Sequence, residues 1–300
     1  MTGDVLALDI GGTKLAAALV GPDGALLRTR RCPTPAGDAE QIWDAVAALL
    51  ADVGDAARPN AVGVSAPGPI DHRHGTVSPI NMAWRDFPLT ARVAEATGLP
   101  VTLAGDGVCM AFGENRFGAA RDARFVLGFV VSTGVGGGLV LDGRPVLGRT
   151  GNAGHVGHVV VEPDGSPCTC GGRGCVETVA SGPNLVRWAR AEGWRAGADA
   201  DARVLAEAAR AGEPIAVRAF RRGADALARM IASVAAVADL DVVVVGGGVA
   251  QSGSVLFEPL REALDQYAGL DFIREVRVVS AELGGDAGLV GAAELARRFG

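Results

Sequence analysis

The sequence predicts a duplicated α/β fold built from two similar halves. Three observations carry this. Short apolar strands alternate with segments of helical spacing, the pattern of strands covered by helices. The order strand, small polar residue, paired glycines, strand, Asp-Gly occurs at residues 5–24 and again at residues 125–143. The chain has 300 residues, 49% hydrophobic and 21% charged. That is enough for about two domains with sizeable cores, and it excludes intrinsic disorder.

Each element follows from local chemistry. Val5–Leu8 is a short buried strand, Asp9-Ile10-Gly11-Gly12-Thr13-Lys14 a glycine-rich turn, and Leu15–Val20 a second strand. Gly21-Pro22-Asp23-Gly24 supplies the angles of a hairpin turn, and Ala25–Arg30 returns as a third strand. Residues 38–53 place Ile42, Val46, Leu49 and Leu50 on one helical face. Ala61–Ser65 is a strand ending at Pro67-Gly68-Pro69; residues 89–97 are a helix, Val101–Ala104 a strand and residues 107–117 a helix. The pattern then restarts. Phe125–Val131 is a strand, Ser132–Gly138 a glycine-rich turn, Leu139–Leu141 a strand and Asp142-Gly143 a turn. Residues 151–182 are turn-rich. Residues 183–240 are mainly helical, with Leu227, Met230, Ile231, Val234 and Val237 on one face. Val242–Val245 is a fully apolar strand before Gly246-Gly247-Gly248. A helix at 254–267, a strand at Val276–Val279 and a closing helix at 286–299 complete the chain.

The expected division is 1–117 and 118–285, joined by a short hinge, with the closing helix 286–300 returning to the first part. The two halves are expected to face each other across a cleft lined by glycine turns.

Composition narrows the function. A net charge of −6 argues against a nucleic-acid face, which needs clustered cations. No apolar run reaches the ~18 residues of a membrane span, and no basic segment precedes the first strand. A cytoplasmic location away from membranes is the resulting expectation. The 5 cysteines are an odd count, a poor disulfide framework.

Three glycine turns at strand ends offer backbone N–H groups to phosphate: Gly11-Gly12-Thr13, Gly134–Gly138 and Gly246-Gly247-Gly248. None matches a P-loop or a dinucleotide fingerprint. Asp9 before the first turn is suited to Mg²⁺ through water. Thr13 and Lys14, the sole lysine, can reach phosphate; the plain alternative for Lys14 is a solvated surface side chain. Asp106, between Gly105 and Gly107 at a strand end, is either a general base for an attacking hydroxyl or the N-cap of the next helix. His158 with Cys168, Cys170 and Cys175 makes the closed His–Cys₃ set of a structural Zn²⁺, and Gly171, Gly172 and Gly174 let the loop wrap around it. Free thiols in a flexible loop are the plain alternative. Trp84 reads as core packing, Cys32 and Cys109 as ordinary thiols, and His72 and His74 as solvent-facing residues of a polar turn.

Taken together, these motifs resemble the ROK sugar kinases (repressor, open reading frame, kinase), in particular their bacterial glucokinase-like branch. The resemblance spans Leu8–Lys14, Gly63–Asp71, Asn81–Trp84, Asp106 in its strand–helix setting, Ser132–Gly138, Gly157-His158, Cys168–Glu177, Val245–Gly248 and Ala287–Ala293. It implies an actin-like (ribonuclease H-like) fold and ATP-dependent phosphorylation of a hexose or amino-hexose at the 6-hydroxyl, with Mg²⁺. It also implies a homodimer. Asp106 falls on the general base. Glu177 and His158 fall on sugar contacts, while His158, Cys168, Cys170 and Cys175 fall on zinc ligands, so zinc would brace the sugar-binding loop. Gly68, Asn81, Gly105 and His155 complete the candidate sugar site. The candidate nucleotide site is Asp9, Gly11, Gly12, Thr13, Lys14, Thr133, Gly134, Gly247 and Gly248.

Two positions depart from the family pattern. Gly105 stands where the family usually has Asn, and His155 where it usually has Glu. The family's Asn and Glu read sugar hydroxyls, with the 3-position prominent. The expectation is a glucose-like sugar altered near carbon 3, with 3-amino-3-deoxyglucose (kanosamine) the specific candidate; the charge argument cuts against a cationic amine, which would prefer Glu. The alternatives are an ordinary glucokinase, with His155 and a water replacing the lost contacts, and a sugar-sensing protein without turnover. Polyphosphate as donor would call for more cations than this acidic chain has.

Overall fold

The computed structural model describes residues 3–54, 58–80 and 82–300. The chain divides into two compact units. The first comprises Met1–Asp122, Gly138–Gly154 and Glu282–Gly300, and the second Ala123–Gly137 and His155–Ala281.

The first unit is built on β1 (Val5–Ile10), β2 (Lys14–Val20), β3 (Leu26–Pro33), α1 (Ala39–Gly54), β4 (Val62–Ala66), the small hairpin β5 (Ile70–Asp71) and β6 (Thr76–Val77), α2 (Leu89–Thr97), β7 (Val101–Gly105) and α3 (Asp106–Phe117). Its sheet runs β3-β2-β1-β4-β7. The first three strands are antiparallel; β4 and β7 follow parallel to β1. After it come β8 (Val126–Val131), β9 (Val135–Leu141), β10 (Arg144–Val146), α4 (Glu177–Ala180), α5 (Gly182–Ala191), α6 (Ala202–Arg210), α7 (Pro214–Ala238), β11 (Val242–Gly246), α8 (Ser254–Tyr267), α9 (Asp271–Arg274), β12 (Arg277–Ser280) and α10 (Ala287–Phe299). The second sheet runs β10-β9-β8-β11-β12, with β9 and β10 antiparallel and β8, β11 and β12 parallel. The strand order of the first sheet is thus repeated, and the duplication read from residues 5–24 and 125–143 is present in the topology.

β1 and β4 are apolar throughout because both faces of the first sheet are covered. On one face Leu6, Leu8 and Val64 pack against Ile42, Val46 and Leu50 of α1. Trp84 lies in the same core, fully buried and stacked on Phe87 at 4.4 Å between ring centroids. On the other face Val5, Ala7 and Ala18 meet Leu289, Ala293 and Ala296 of α10. Gly63 of β4 makes this approach possible, since a Cβ there would overlap the Ala292 carbonyl, and glycines likewise bring α3 against α10. A Cβ on Gly113 of α3 would stand 2.5 Å from the Ala287 carbonyl oxygen, and one on Gly291 would overlap the Cys109 carbonyl. The fully buried Glu114 ties the end of α3 to the turn before α10, accepting the amides of Glu282 (3.1 Å) and Leu283 (2.8 Å).

Three elements differ from the sequence expectation. β9 begins at Val135, so Gly136–Gly138 lie in a strand instead of a turn. Clearance is the reason: a Cβ on Gly137 would stand 2.8 Å from the Gly128 carbonyl oxygen, and one on Gly138 would collide with the Val108 backbone. Residues 138–154, read from the sequence as part of the second half, group with the first. There the Asn152 amide bonds both the N–H (2.9 Å) and the carbonyl (2.7 Å) of Ile70. Val237 is 89% exposed instead of buried. The apolar stripe of α7 ends at Ala235, one short turn before the left-handed cap at Asp239. Among the described residues, no helix is long and apolar enough to cross a membrane.

Candidate active site

In the first unit the candidate residues gather at the C-terminal ends of β1 and β7. β7 ends at Gly105, and Asp106 is the first residue of α3. Asp106 does not cap the helix; Gly105 occupies that position with extended backbone. Instead one Asp106 oxygen accepts the Gly107 amide at 2.7 Å. The side chain is open to solvent on one side yet surrounded by protein. Loss of bulk hydration pushes its carboxyl up to about 6; the Gly107 amide lowers it and the charge of Asp9 adds to the rise. A Cβ at Gly105 would meet nothing nearer than Val108 Cγ2 at 3.9 Å and Ile70 Cδ1 at 4.0 Å. Neither space nor backbone angle therefore requires glycine there.

Asp9, the penultimate residue of β1, lies near enough for its charge to act on this carboxylate. Burial raises its pKa, opposed first by the Ser65 hydroxyl, which donates to Oδ1 at 2.6 Å, and then by Lys14. A Cβ on Gly288 would press on Asp9 Oδ1 at 2.7 Å, so glycine in α10 leaves this carboxylate its place. The Gly11–Lys14 turn is closed by the Gly11 amide on the Lys14 carbonyl (2.9 Å) and held by Thr34, whose hydroxyl donates to the Gly11 carbonyl (2.6 Å). Gly12, Thr13 and Lys14 are exposed. Gly68 precedes Pro69 through a cis peptide bond. Asn81 lies outside the described residues.

In the second unit the other two glycine turns sit side by side. Gly247, at a φ of 91°, passes so close to β8 that a Cβ would stand 2.5 Å from the Val131 carbonyl oxygen. The Val249 amide then donates to the same carbonyl at 2.9 Å. Thr133 and Gly248 open onto a cavity of about 880 Å³ whose other walls include Gly182, Arg187, Arg203 and Ala206. This volume suits a nucleotide-sized ligand. The α5 and α6 residues of that wall were not found from sequence; the available signals were the Gly182-Pro183 helix start and the Asp201 side chain, which caps α6 through the amides of Arg203 and Val204.

Next to Thr133, Glu177 Oε2 accepts the Val135 amide at 2.8 Å. A Cβ on Gly134 would stand 2.6 Å from that same oxygen. Gly157 is needed for a related reason: its Cα lies against the Val135 carbonyl with no room for a side chain. His158 follows directly, and the rings of His155 and His158 lie 6.2 Å apart. His155 is exposed; its pKa is lowered by partial loss of hydration and then by His158.

The four ligand atoms of His158, Cys168, Cys170 and Cys175 lie within 4.8 Å of one another. Cys168 Sγ is 3.8 Å from His158 Nδ1, and Cys170 Sγ is 3.8 Å from Cys175 Sγ. A tetrahedral Zn²⁺ with Zn–S bonds of about 2.3 Å sets its ligands about 3.8 Å apart, so the donor set fits zinc. The loop folds back on itself through the pairing of Val160 with Cys175, and the Val176 amide donates to the Val159 carbonyl at 2.9 Å. Glu177 follows at once, so the cluster and the carboxylate share one rigid segment.

The ROK family pattern matches residues 5–299. The chain is 36% identical to the glucokinase of Streptomyces coelicolor over 312 residues, 98% of each chain. It is 39% identical to the N-acetylmannosamine kinase of Citrobacter koseri over 297 residues, 97% of this chain and 98% of that one. A crystal structure of a ROK family glucokinase from Streptomyces griseus, in complex with glucose and AMPPNP, superposes with a TM-score of 0.86 at 37% identity, covering 99% of this chain and 100% of that chain. The fold is therefore the actin-like one of those kinases.

Proposed function

This chain belongs to the ROK family and is a sugar kinase, and we propose that it transfers the γ-phosphoryl group of ATP to the 6-hydroxyl of a glucose-type hexose, with Asp106 as general base. The observation that carries this reading is the state of Asp106: an accessible carboxylate, held by one amide and raised to about 6. Such a group is mostly ionised at neutral pH and still basic enough to take a proton in the transition state. It accepts the hydroxyl proton while the sugar oxygen bonds to phosphorus, the bond to the ADP oxygen breaks and ADP leaves.

The remaining residues divide by chemistry. Glu177 and His158 anchor sugar hydroxyls, with Gly68 and Asn81 alongside. Gly105 and His155 face the region of carbon 3. The space at Gly105 favours a sugar modified there, and 3-amino-3-deoxyglucose is the compound that tests it. The cavity beside Thr133 and Gly248 takes the nucleoside, and Gly134 and Gly247 let the backbone approach the phosphates. Asp9, Gly11, Gly12, Thr13 and Lys14 belong to the phosphate end. Mg²⁺, when bound, would supply charge neutralisation on the terminal phosphates. Asp9 fits that ion through water, since Ser65 engages only one of its oxygens. Zn²⁺ held by His158, Cys168, Cys170 and Cys175 would fix the position of Glu177, and using Nδ1 of His158 would leave its Nε2 for the sugar. Assembly as a homodimer is part of the same reading, and light scattering on the purified protein tests it.

The deciding experiment is ADP release with Mg·ATP over glucose, mannose, N-acetylglucosamine, N-acetylmannosamine and kanosamine. Turnover with at least one of these, abolished in Asp106→Asn, is expected. Sugar binding without turnover by any of them would replace this reading with a sensor.

A further inference from the structure

The turn from Ser132 to Val135 is gripped at both ends by the segment that follows Cys175. At its start the Ser132 carbonyl accepts the amide of Gly182, the first residue of α5, at 2.8 Å. At its end the Val135 amide donates to Glu177 Oε2 at 2.8 Å. The Ser132 amide donates to the Gly134 carbonyl (2.8 Å) and closes the turn on itself. Ser132, Thr133 and Gly182 line the large cavity, and Glu177 does not. One short turn therefore faces the proposed nucleotide through its first residues and holds the proposed sugar anchor at its last.

Asn184, the third residue of α5, joins the two grips. Its Nδ2 donates to the Glu177 carbonyl at 2.9 Å and to the Ser181 hydroxyl at 2.7 Å. The Ser181 amide reaches the same Glu177 carbonyl at 3.3 Å, so Asn184 makes the shorter of these two bonds between Glu177 and the start of α5. A closed ring results. It runs from Glu177 through Asn184 to Gly182, on to Ser132, along the turn to Val135, and back to the Glu177 carboxylate. Asn184 itself does not line the cavity. Its Oδ1 is buried without a partner, a cost that alanine, a better helix former, would avoid. What the side chain supplies in return is the donor to Glu177. The helix behind it has little freedom to absorb a shift. Leu185 is buried, and a Cβ on Gly223 of α7 would stand 2.7 Å from its Cδ2. A Cβ on Gly182 would stand 3.1 Å from the Cβ of Ala202 in α6.

We propose that Asn184 is a positioning residue that couples sugar binding to nucleotide binding. A sugar on Glu177 orders the ring from one side, and a nucleotide beside Thr133 and Gly182 orders it from the other. Whichever ligand binds second meets a ring already ordered and is held more tightly. Linkage makes the factor the same in both directions. The proposal rests on the reading of Glu177 as a sugar anchor and of the cavity as the nucleotide site.

The test is calorimetric titration of the full-length protein with Mg·AMPPNP, with and without saturating glucose or kanosamine. The parent is expected to bind AMPPNP about fivefold or more tightly when the sugar is present. In Asn184→Ala that factor should fall below about twofold, while AMPPNP alone binds as it does to the parent. The Glu177 carbonyl keeps the Ser181 amide in this variant, so the fold survives, and a melting curve checks it. Ser181→Ala leaves the bond from Asn184 to Glu177 in place and should keep the factor. Hydrogen exchange gives a readout independent of affinity: sugar alone should slow exchange at the Gly182 amide in the parent and not in Asn184→Ala. A parent without coupling would overturn the proposal. So would an Asn184→Ala protein that keeps the full factor, even one that melts at a lower temperature, since Asn184 would then be a structural residue only. Equal loss in Ser181→Ala would also overturn it, because any disturbance at the start of α5 would suffice. Sugar affinity unchanged in Glu177→Gln would remove the sugar reading of Glu177 and this proposal with it; the other outcomes leave that reading standing.

Discussion

The Val135 amide donates to Glu177 Oε2 across 2.8 Å, and this bond joins the second glycine turn to the segment that carries the cysteine cluster. Val135 is also where Gly157 presses on the backbone, one residue before His158. A single strand start therefore sets the positions of both proposed sugar anchors. Gly134 before it and Gly157 across from it are clearance residues: each leaves room for a neighbour already in contact.

Gly134→Ala tests that arrangement. The added methyl would stand 2.6 Å from Glu177 Oε2, the mobile end of a side chain, so the carboxylate moves and the fold survives. Loss of a hydrogen bond to a charged group costs about 1.5–3 kcal/mol. Steady-state kinetics should show kcat/KM for the sugar reduced about 10- to 100-fold, with the KM for ATP little changed. An unchanged sugar KM would mean that Glu177 does not contact the sugar.

Asp106 predicts a pH profile. Its carboxyl lies at about 6, above the ordinary 3.8, chiefly through lost hydration. The base is protonated at lower pH, so kcat/KM should fall below about pH 6 and level off above it. Stability runs the other way. The unfolded chain gives up this proton first, so the penalty for ionising Asp106 is absent below about pH 4 and fully present above about pH 6. Asp106→Asn should lose ~10²–10⁴-fold in kcat and, at pH 8, melt at a higher temperature than the parent. A lower melting temperature would mean that the ionised carboxylate stabilises the fold.

Much of this was legible in the sequence, for local reasons. The repeated glycine pairs and Asp-Gly turns leave few backbone options, so both hairpin meanders could be read directly. The His–Cys₃ set was legible because four metal donors in a glycine-rich loop have few other uses. What was not legible depended on distant partners. Gly137 and Gly138 look like turn residues until Gly128 and Val108 are seen beside them. Val237 continues a helical stripe whose packing partners have already ended. His72 is half-buried against Gly151, which nothing near residue 72 announces. The walls of the large cavity, Arg187 and Arg203, belong to helices that carry no motif.

Zinc should be measurable and structural. Elemental analysis of freshly purified protein is expected to give about one zinc per chain. Cys175 is 2% exposed, and its backbone pairs with Val160 in the fold-back that leads to Glu177. Cys175→Ser should release the metal, destabilise the protein by about 3 kcal/mol or more, and raise the KM for sugar more than that for ATP. A metal-free parent protein with full stability and activity would rule the zinc site out.

Gly105→Asn isolates specificity from stability. The site has room for a Cβ, with its nearest neighbours at 3.9 and 4.0 Å, and Gly105 sits in extended backbone that any residue adopts. Folding should therefore be unaffected, as an unchanged melting temperature would show. The new amide can donate to and accept from a hydroxyl near carbon 3, an interaction of about 1 kcal/mol when buried. The ratio of kcat/KM for glucose over kanosamine should rise about fivefold or more, because the added side chain both holds the 3-hydroxyl and fills the space open to a substituent. If instead both sugars lose activity equally, the space beside Gly105 does not read carbon 3, and specificity at that carbon rests on His155.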